Sequence, residues 1–384
     1  MSLSVPGSSS SRPRIHVLDF IRLVAMLLMI QGHTLDAFMS PAQMDLDTLP
    51  WQLWLHLRGL TAPLFLMVSG AASVLGIRYE PDGRISRALL RRRLIMGLTV
   101  IGIGYLMVFP AGRIKDLWWV SEDIWRVFLQ VNILQLNGVT LLLLTTLLAF
   151  TKTVRRYAAW SLGLGFLILL LAPLAFSIDW FRWLPEGLAA YLSFNHGSLF
   201  PLFPASAYMF LGVGLGALLL ETPAERRVRV FRLGCLTGSV GLMLLAMAAE
   251  HLPAQLLPLH DAYQAGYAYT LLRVGFTLLI FGLLAWSAEL YPRLASACAP
   301  MGQKSLYLYV GHIALIYGTP WTPGIVTGSF HSLSLGDAAL FVPIVGGITF
   351  GAIAVWDWTR NRSEAIGALV QASVVFALAY ALVF

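Results

Sequence analysis

The chain has 384 residues, 58% of them hydrophobic and 12% charged, against about 25% charged in an ordinary soluble domain; its mean hydropathy is +0.75. This balance excludes a soluble globular enzyme and predicts an all-α, polytopic membrane helical bundle of about ten to eleven transmembrane helices. The net charge of +7 lies almost entirely in short loops between apolar segments, where it has a topological explanation and gives no reason to invoke nucleic acid.

Residues 1–14 form a Ser/Pro-rich stretch without an apolar core, expected to be a disordered cytoplasmic tail rather than a cleaved signal peptide. The remainder, 15–384, reads as a single transmembrane domain. Its first helix, within RIHVLDFIRLVAMLLMIQGHTLDAFM, carries four ionisable residues. At 100° per residue, Asp19, Arg22, His33 and Asp36 fall within roughly 100° of one another, and Met26 and Met29 continue the same side. Arg22 and His33 are nearly eclipsed and separated by ~16 Å along the axis, so one lies toward each membrane face. Ionisable groups at such depth cost from about 2.5 kcal/mol upward and normally face a bundle interior or a watery path. The stripe is therefore a candidate site. The plainer alternatives are that Asp19 and Arg22 form only a helix-end ion pair and that His33 is a satisfied interfacial histidine.

Apolar segments of spanning length follow at 17–39, 51–77, 92–109, 127–150, 157–178, 201–220, 230–249, 267–287, 303–320, 336–356 and 365–384. A cytoplasmic N-terminus places Arg12, Arg14, the arginines of 78–93, Lys152, Arg155, Arg156, Arg226, Arg227, Arg229, Arg232, Arg293, Lys304, Arg360 and Arg362 on one side. The opposite side receives Arg113, Lys115, Arg126, Arg182 and Arg273 among acidic residues that include Asp116, Asp179, Glu186 and Asp261. Nineteen basic residues against five is a strong positive-inside asymmetry.

The second helix returns inward with His56 and Arg58 at about the depth of His33, and a break is expected near Ala62-Pro63, where proline removes a backbone donor. Arg84 to Arg93 is the densest basic cluster. It is suited to setting topology or touching anionic lipid, and Arg91, Arg92 and Arg93 equally to a phosphate-bearing cosubstrate. Gln130, Asn132, Gln135 and Asn137 stand at a helix entrance, where they can hydrogen-bond a ligand or a neighbouring helix. The aromatic loop 179–200 can lie over an outward-facing site. Gly212, Gly214 and Gly216 sit in an apolar helix with no preceding strand and read as packing contacts, not a dinucleotide loop. His312 lies mid-way along a late apolar helix between Tyr309 and Tyr317; a lone histidine there is more often buried and hydrogen-bonded than catalytic. Cys235 and Cys298 support neither a disulfide framework nor a metal-thiolate motif, so no metal is expected.

Arg22, ten intervening residues and His33 resemble the Arg-x10-His signature of acyltransferase family 3. The wider LDFIRLVAMLLMIQGH resembles the opening of the heparan-α-glucosaminide N-acetyltransferase group in the same superfamily of transmembrane acyltransferases. RGLTAPLFLMVSG, PLFPASAYMFLGVGLG and MGQKSLYLYVGH resemble its second-helix, mid-chain and late elements, in order, from Arg14 to about Tyr317. Leu23 replaces the usual glycine, Ala205-Ser206 stands in the region of an expected tryptophan, and His33 stands where the glucosaminide branch has asparagine. The resemblance implies transfer of an acyl group, with acetyl-CoA the expected donor, from cytoplasmic acyl-CoA to a hydroxyl or amine of an extracytoplasmic acceptor such as a glycan. The setting would be a plasma or inner membrane, and an oligomer is compatible. It assigns His33 as general base or acceptor-orienting group, with Asp36 fixing its tautomer. Arg22 would pair with Asp19 or hold the cosubstrate with Arg91, Arg92 and Arg93, while Arg58 and His312 would contact substrate. A secondary transporter also needs intramembrane charges, but usually shows repeats that are not visible here. A non-catalytic scaffold would leave the matched histidine and arginine unexplained.

Overall fold

A computed structural model describes residues 15–251 and 266–383; the tail 1–14, with Arg12 and Arg14, and Asp261 lie outside the described residues. Fourteen α-helices follow in order among these: α1 His16–Phe38, α2 Leu49–Leu75, α3 Arg87–Met107, α4 Glu122–Leu129, α5 Ile133–Phe150, α6 Val154–Ser177, α7 Glu186–Ala189, α8 Leu202–Glu221, α9 Arg227–Glu250, α10 Tyr267–Leu290, α11 Pro292–Gly302, α12 Ser305–Tyr317, α13 Leu335–Arg362 and α14 Glu364–Val383. Nine are long and apolar enough to cross a membrane, which makes this a multi-pass membrane bundle. The only sheet among the described residues is a hairpin, β1 Gly318–Thr319 with β2 Thr322–Pro323. Side-chain caps start several helices: Ser86, Thr153 and Ser334 accept from the backbone N–H three residues on, at 3.3, 3.2 and 3.2 Å.

Helix α1 is the centre. It packs against α2, α10, α11, α12 and α13, and between His16 and Phe38 only His16 and Leu27 are exposed, so its polar stripe faces protein, as the cost of charge in lipid requires. Beside it α2 and α8 approach through small residues: a Cβ on Gly70, Gly212 or Gly216 would overlap the backbone of Met209, Met67 or Ala71 respectively. Gly214 meets the Leu162 side chain of α6. Helix α14 lies at the periphery, with Gly367 its buried residue.

Four features depart from the sequence expectations. Helix α2 is continuous through Pro63 rather than broken. The carbonyl of Gly59, which would have accepted the missing Pro63 N–H, instead accepts from Arg273 Nη2 of α10 at 2.6 Å. The expected 127–150 span is divided at Gln130–Asn132, because the backbone of Val131 is engaged by an extended neighbour: its N–H donates to Ser198 Oγ, and its carbonyl accepts from Leu199 and Phe200 N–H. The short helix α11 was not anticipated; it packs on α1, with Gly302 seated against the Asp19 backbone. Finally, the segment after α12 folds back over the end of α1. Leu333 N–H donates to the Phe38 carbonyl and Ser40 N–H to the Leu333 carbonyl, each at 2.9 Å, and Trp321 Nε1 reaches the Gly112 carbonyl at 2.8 Å.

Candidate active site

The two ends of the α1 stripe have different company. At the first, Arg22 Nη1 donates to Asp19 Oδ1 at 3.1 Å, and Gln303 Nε2 donates to Asp19 Oδ2 at 2.9 Å, so the carboxylate is held from its own helix and from the turn between α11 and α12. Arg22 also lines a cavity of about 400 Å³ with Arg92 and Arg93 of α3. Arg93 is buried and donates to the Ser73 carbonyl of α2 at 2.9 Å. Arg92 is exposed at the mouth, and Arg91 is exposed and not part of the lining. The first turn of α12 contributes Ser305 and Leu306, where a helix presents backbone N–H groups without intrahelical acceptors. Three guanidinium groups and a helix N-terminus thus converge, the chemistry that receives phosphate. On α2 the cavity runs from Gly76 to Phe65, about 16 Å of helix rise. Its wall is otherwise mainly apolar, with Met96, Val100, Leu141 and Met209, and Ser69, Ser73 and Asn137 add polar groups.

At the other end, His33 of α1 faces His312 of α12, ring centroids 5.5 Å apart, and Tyr317 edge-on at 6.3 Å. The Tyr317 hydroxyl donates to the His33 carbonyl at 3.3 Å. His312 is fully buried, and its Nδ1 is 2.7 Å from the Leu308 carbonyl. A carbonyl only accepts, so neutral His312 carries its proton on Nδ1, and Nε2, which is buried without a partner among the described residues, presents a bare lone pair. Asp36 does not reach the His33 ring in the expected tautomer-fixing role. It forms an ion pair with Arg58 of α2 at 2.7 Å, and Arg58 in turn sits over Trp54 at 5.6 Å. The reason is the competing cation: a three-residue spacing allows contact on one helix face, but the guanidinium of Arg58 on α2 takes the Asp36 carboxylate.

Between the ends stands a pair of rings. Phe65, the last wall of the arginine cavity, stacks on Tyr309 at 6.4 Å, and Tyr309 meets His312 edge-on at 5.4 Å. Both rings are buried, so the cavity stops one aromatic layer short of the histidines.

The residues 14–252 match the family model described as heparan-alpha-glucosaminide N-acetyltransferase, catalytic. The chain belongs to this family. The match covers more than half of the chain and takes in α1 to α9, and of the two groups that the opening of α1 resembles, it is the glucosaminide one that is matched. The sequence has no match among curated proteins. Within this N-acetyltransferase family member, structure brings together most of the residues singled out from sequence: Asp19, Arg22, Arg92 and Arg93 at one end, and His33, His312, Asp36 and Arg58 at the other. Arg91 stays outside. Gln303 and Tyr317 join as partners of Asp19 and His33. The aromatic loop 179–200 covers a different place: its Phe194, Leu199 and Phe200 line a second cavity beside α2, α8 and α10.

Proposed function

We propose that this chain is a membrane acetyltransferase that takes acetyl-CoA from the cytoplasm and passes the acetyl group to a hydroxyl or amine of a glycan on the far side of a plasma or inner membrane. The observation that carries this reading is the cavity itself: cations and an open helix N-terminus at one end, a mainly apolar wall along α2, and a histidine pair beyond the Phe65–Tyr309 rings. In this reading the phosphates of CoA lie on Arg22, Arg92, Arg93 and the first turn of α12, and the pantetheine arm runs along α2 toward Phe65. The N-terminus is cytoplasmic, as the basic-residue asymmetry favours.

Transfer then requires Phe65 and Tyr309 to part. The acceptor oxygen or nitrogen attacks the thioester carbonyl carbon, the C–S bond breaks, and a C–O or C–N bond forms. The proton released by the acceptor goes to His33, and the CoA thiolate leaves toward the arginines. His312, with its lone pair held toward the centre by the Leu308 carbonyl, orients the acceptor or relays the proton. The Asp36–Arg58 pair stands beside the acceptor as a polar wall.

The test is thermal stabilisation of the purified protein by acetyl-CoA, since a ligand of the folded state raises apparent stability, repeated with Arg22→Ala. Removal of this largely buried cation leaves Asp19 to Gln303 alone, a change of ~3–5 kcal/mol, and we expect the acetyl-CoA shift to disappear while some folded protein remains. Stabilisation by a small sugar but by no CoA species would instead favour a transporter. Normal acetyl-CoA affinity in folded Arg22→Ala protein would make Arg22 purely structural.

A further inference from the structure

The second cavity, about 460 Å³, opens between α2, α8 and α10, at the histidine end of α2 but on the side of that helix turned away from Arg58. Its walls are mainly apolar, with Leu55, Pro63, Phe200, Leu272 and Phe276 prominent. Polar groups interrupt them: the exposed Gln52 and His56 of α2, Tyr269 and Arg273 of α10, and Tyr208 of α8. Arg273 gives one N–H to the Gly59 carbonyl at 2.6 Å and lies over the Tyr269 ring at 5.4 Å. No carboxylate among the described residues forms an ion pair with it. A guanidinium placed about two turns into a membrane helix with no counter-charge among those residues is costly, and one backbone carbonyl uses only one of its five donors. Tyr208 is 3% exposed, and among the described residues its hydroxyl has no hydrogen-bond partner. A buried hydroxyl left unmatched costs free energy that a ligand acceptor would recover.

An apolar ligand would leave Arg273 and the Tyr208 hydroxyl unsatisfied, and a small inorganic anion would leave the apolar walls in contact with water. We infer that this cavity binds an anionic amphiphile, a lipid whose phosphate lies on Arg273 and the Tyr208 hydroxyl and whose chain lies against the Leu272 and Phe276 wall. The bilayer supplies such a ligand at high local concentration. The site is separate from the cavity of Arg22, Arg92 and Arg93, so it stands whatever the fate of the acetyl-transfer reading.

The experiment is native mass spectrometry of the purified full chain in detergent, titrated with phosphatidylglycerol, with phosphatidylcholine of the same acyl chains, and with inorganic phosphate as competitor. Two variants accompany it. Arg273→Gln removes the charge, and Tyr208→Phe removes only the unmatched hydroxyl, a change expected to leave folding intact. The expected result is at least tenfold preference for phosphatidylglycerol, no displacement by millimolar phosphate, and loss of the tightest bound phosphatidylglycerol in Arg273→Gln. Tyr208→Phe should weaken that same lipid about tenfold, the difference from wild type separating this cavity from the exposed arginines of α3. Should Arg273→Gln fail to fold, Tyr208→Phe decides. Equal binding of the two lipids, displacement by inorganic phosphate, or wild-type lipid affinity in Tyr208→Phe would overturn the proposal.

Discussion

At the level of single residues, the proposed chemistry is concentrated on His33. If it accepts the proton of the attacking acceptor, His33→Ala retains acetyl-CoA binding, because Arg22, the member of the proposed CoA site on α1, lies ~16 Å away along that helix, while transfer falls by about 10²–10⁴-fold. The wild-type rate should also decline toward acid pH, since protonated imidazole has no lone pair to offer; His312, Tyr317 and the Asp36–Arg58 pair are the neighbours that set where the decline falls. Transfer at the wild-type rate by folded His33→Ala protein would shift the role to His312, whose Nε2 is already free. His33→Asn is a sharper probe: an orienting role survives the exchange, whereas a base does not. His33, Arg22, Asp19, Asp36 and Arg58 were legible in the sequence because helical period and the cost of charge in lipid act locally. Gln303 and Tyr317 were not, each meeting its partner across 284 residues, and the direction in which Asp36 turns depended on where α2 came to lie. One tertiary tie did leave a trace. Pro63 orphans the Gly59 carbonyl, and that alone demanded a donor from elsewhere, which proved to be Arg273.

Among the elements, the α2–α8 pair depends most on close approach. Gly216 lies against the Ala71 carbonyl with no room for a side chain, and Gly212 does the same one turn away. Gly216→Val should therefore separate the two helices at a cost of about 1–3 kcal/mol or more, measured as a lower midpoint in thermal unfolding and less folded protein extracted from membranes. Gly346→Val on α13, where added bulk meets open space, serves as the control and should change neither. Equal behaviour of the two variants would show that the α2–α8 approach is not limiting. The apolar segments themselves were readable from hydropathy, and each expected span corresponds to a helix or helix pair. Hydropathy was silent on α11, a short helix with Pro292 at its start and Pro300 within it, and on the interruption at Val131, which arises from pairing with residues 198–200 and not from any local breaker.

For the whole molecule, orientation decides whether the proposed reaction crosses the membrane. Reporter fusions after Thr153 and after Trp119 should read cytoplasmic and external respectively; the reverse would place the arginine cavity on the side where no acetyl-CoA is made and end the proposal. The Phe65–Tyr309 stack then has a consequence for the cell as well as for the enzyme. A protein that lets a thioester meet an acceptor from the opposite compartment also offers protons and water a route across an energised membrane, and in the proposed reaction these two buried rings would be the insulation in that route. Phe65→Ala should thin it: in proteoliposomes carrying a pH gradient we expect faster proton leak, and in solution more acetyl-CoA hydrolysed without acceptor, because excluded water is what protects a reactive acyl group. A tight, hydrolysis-free Phe65→Ala variant would place the seal elsewhere. The same two rings that would part in each turnover of the proposed transfer are thus expected to set the resting conductance of the membrane that holds them.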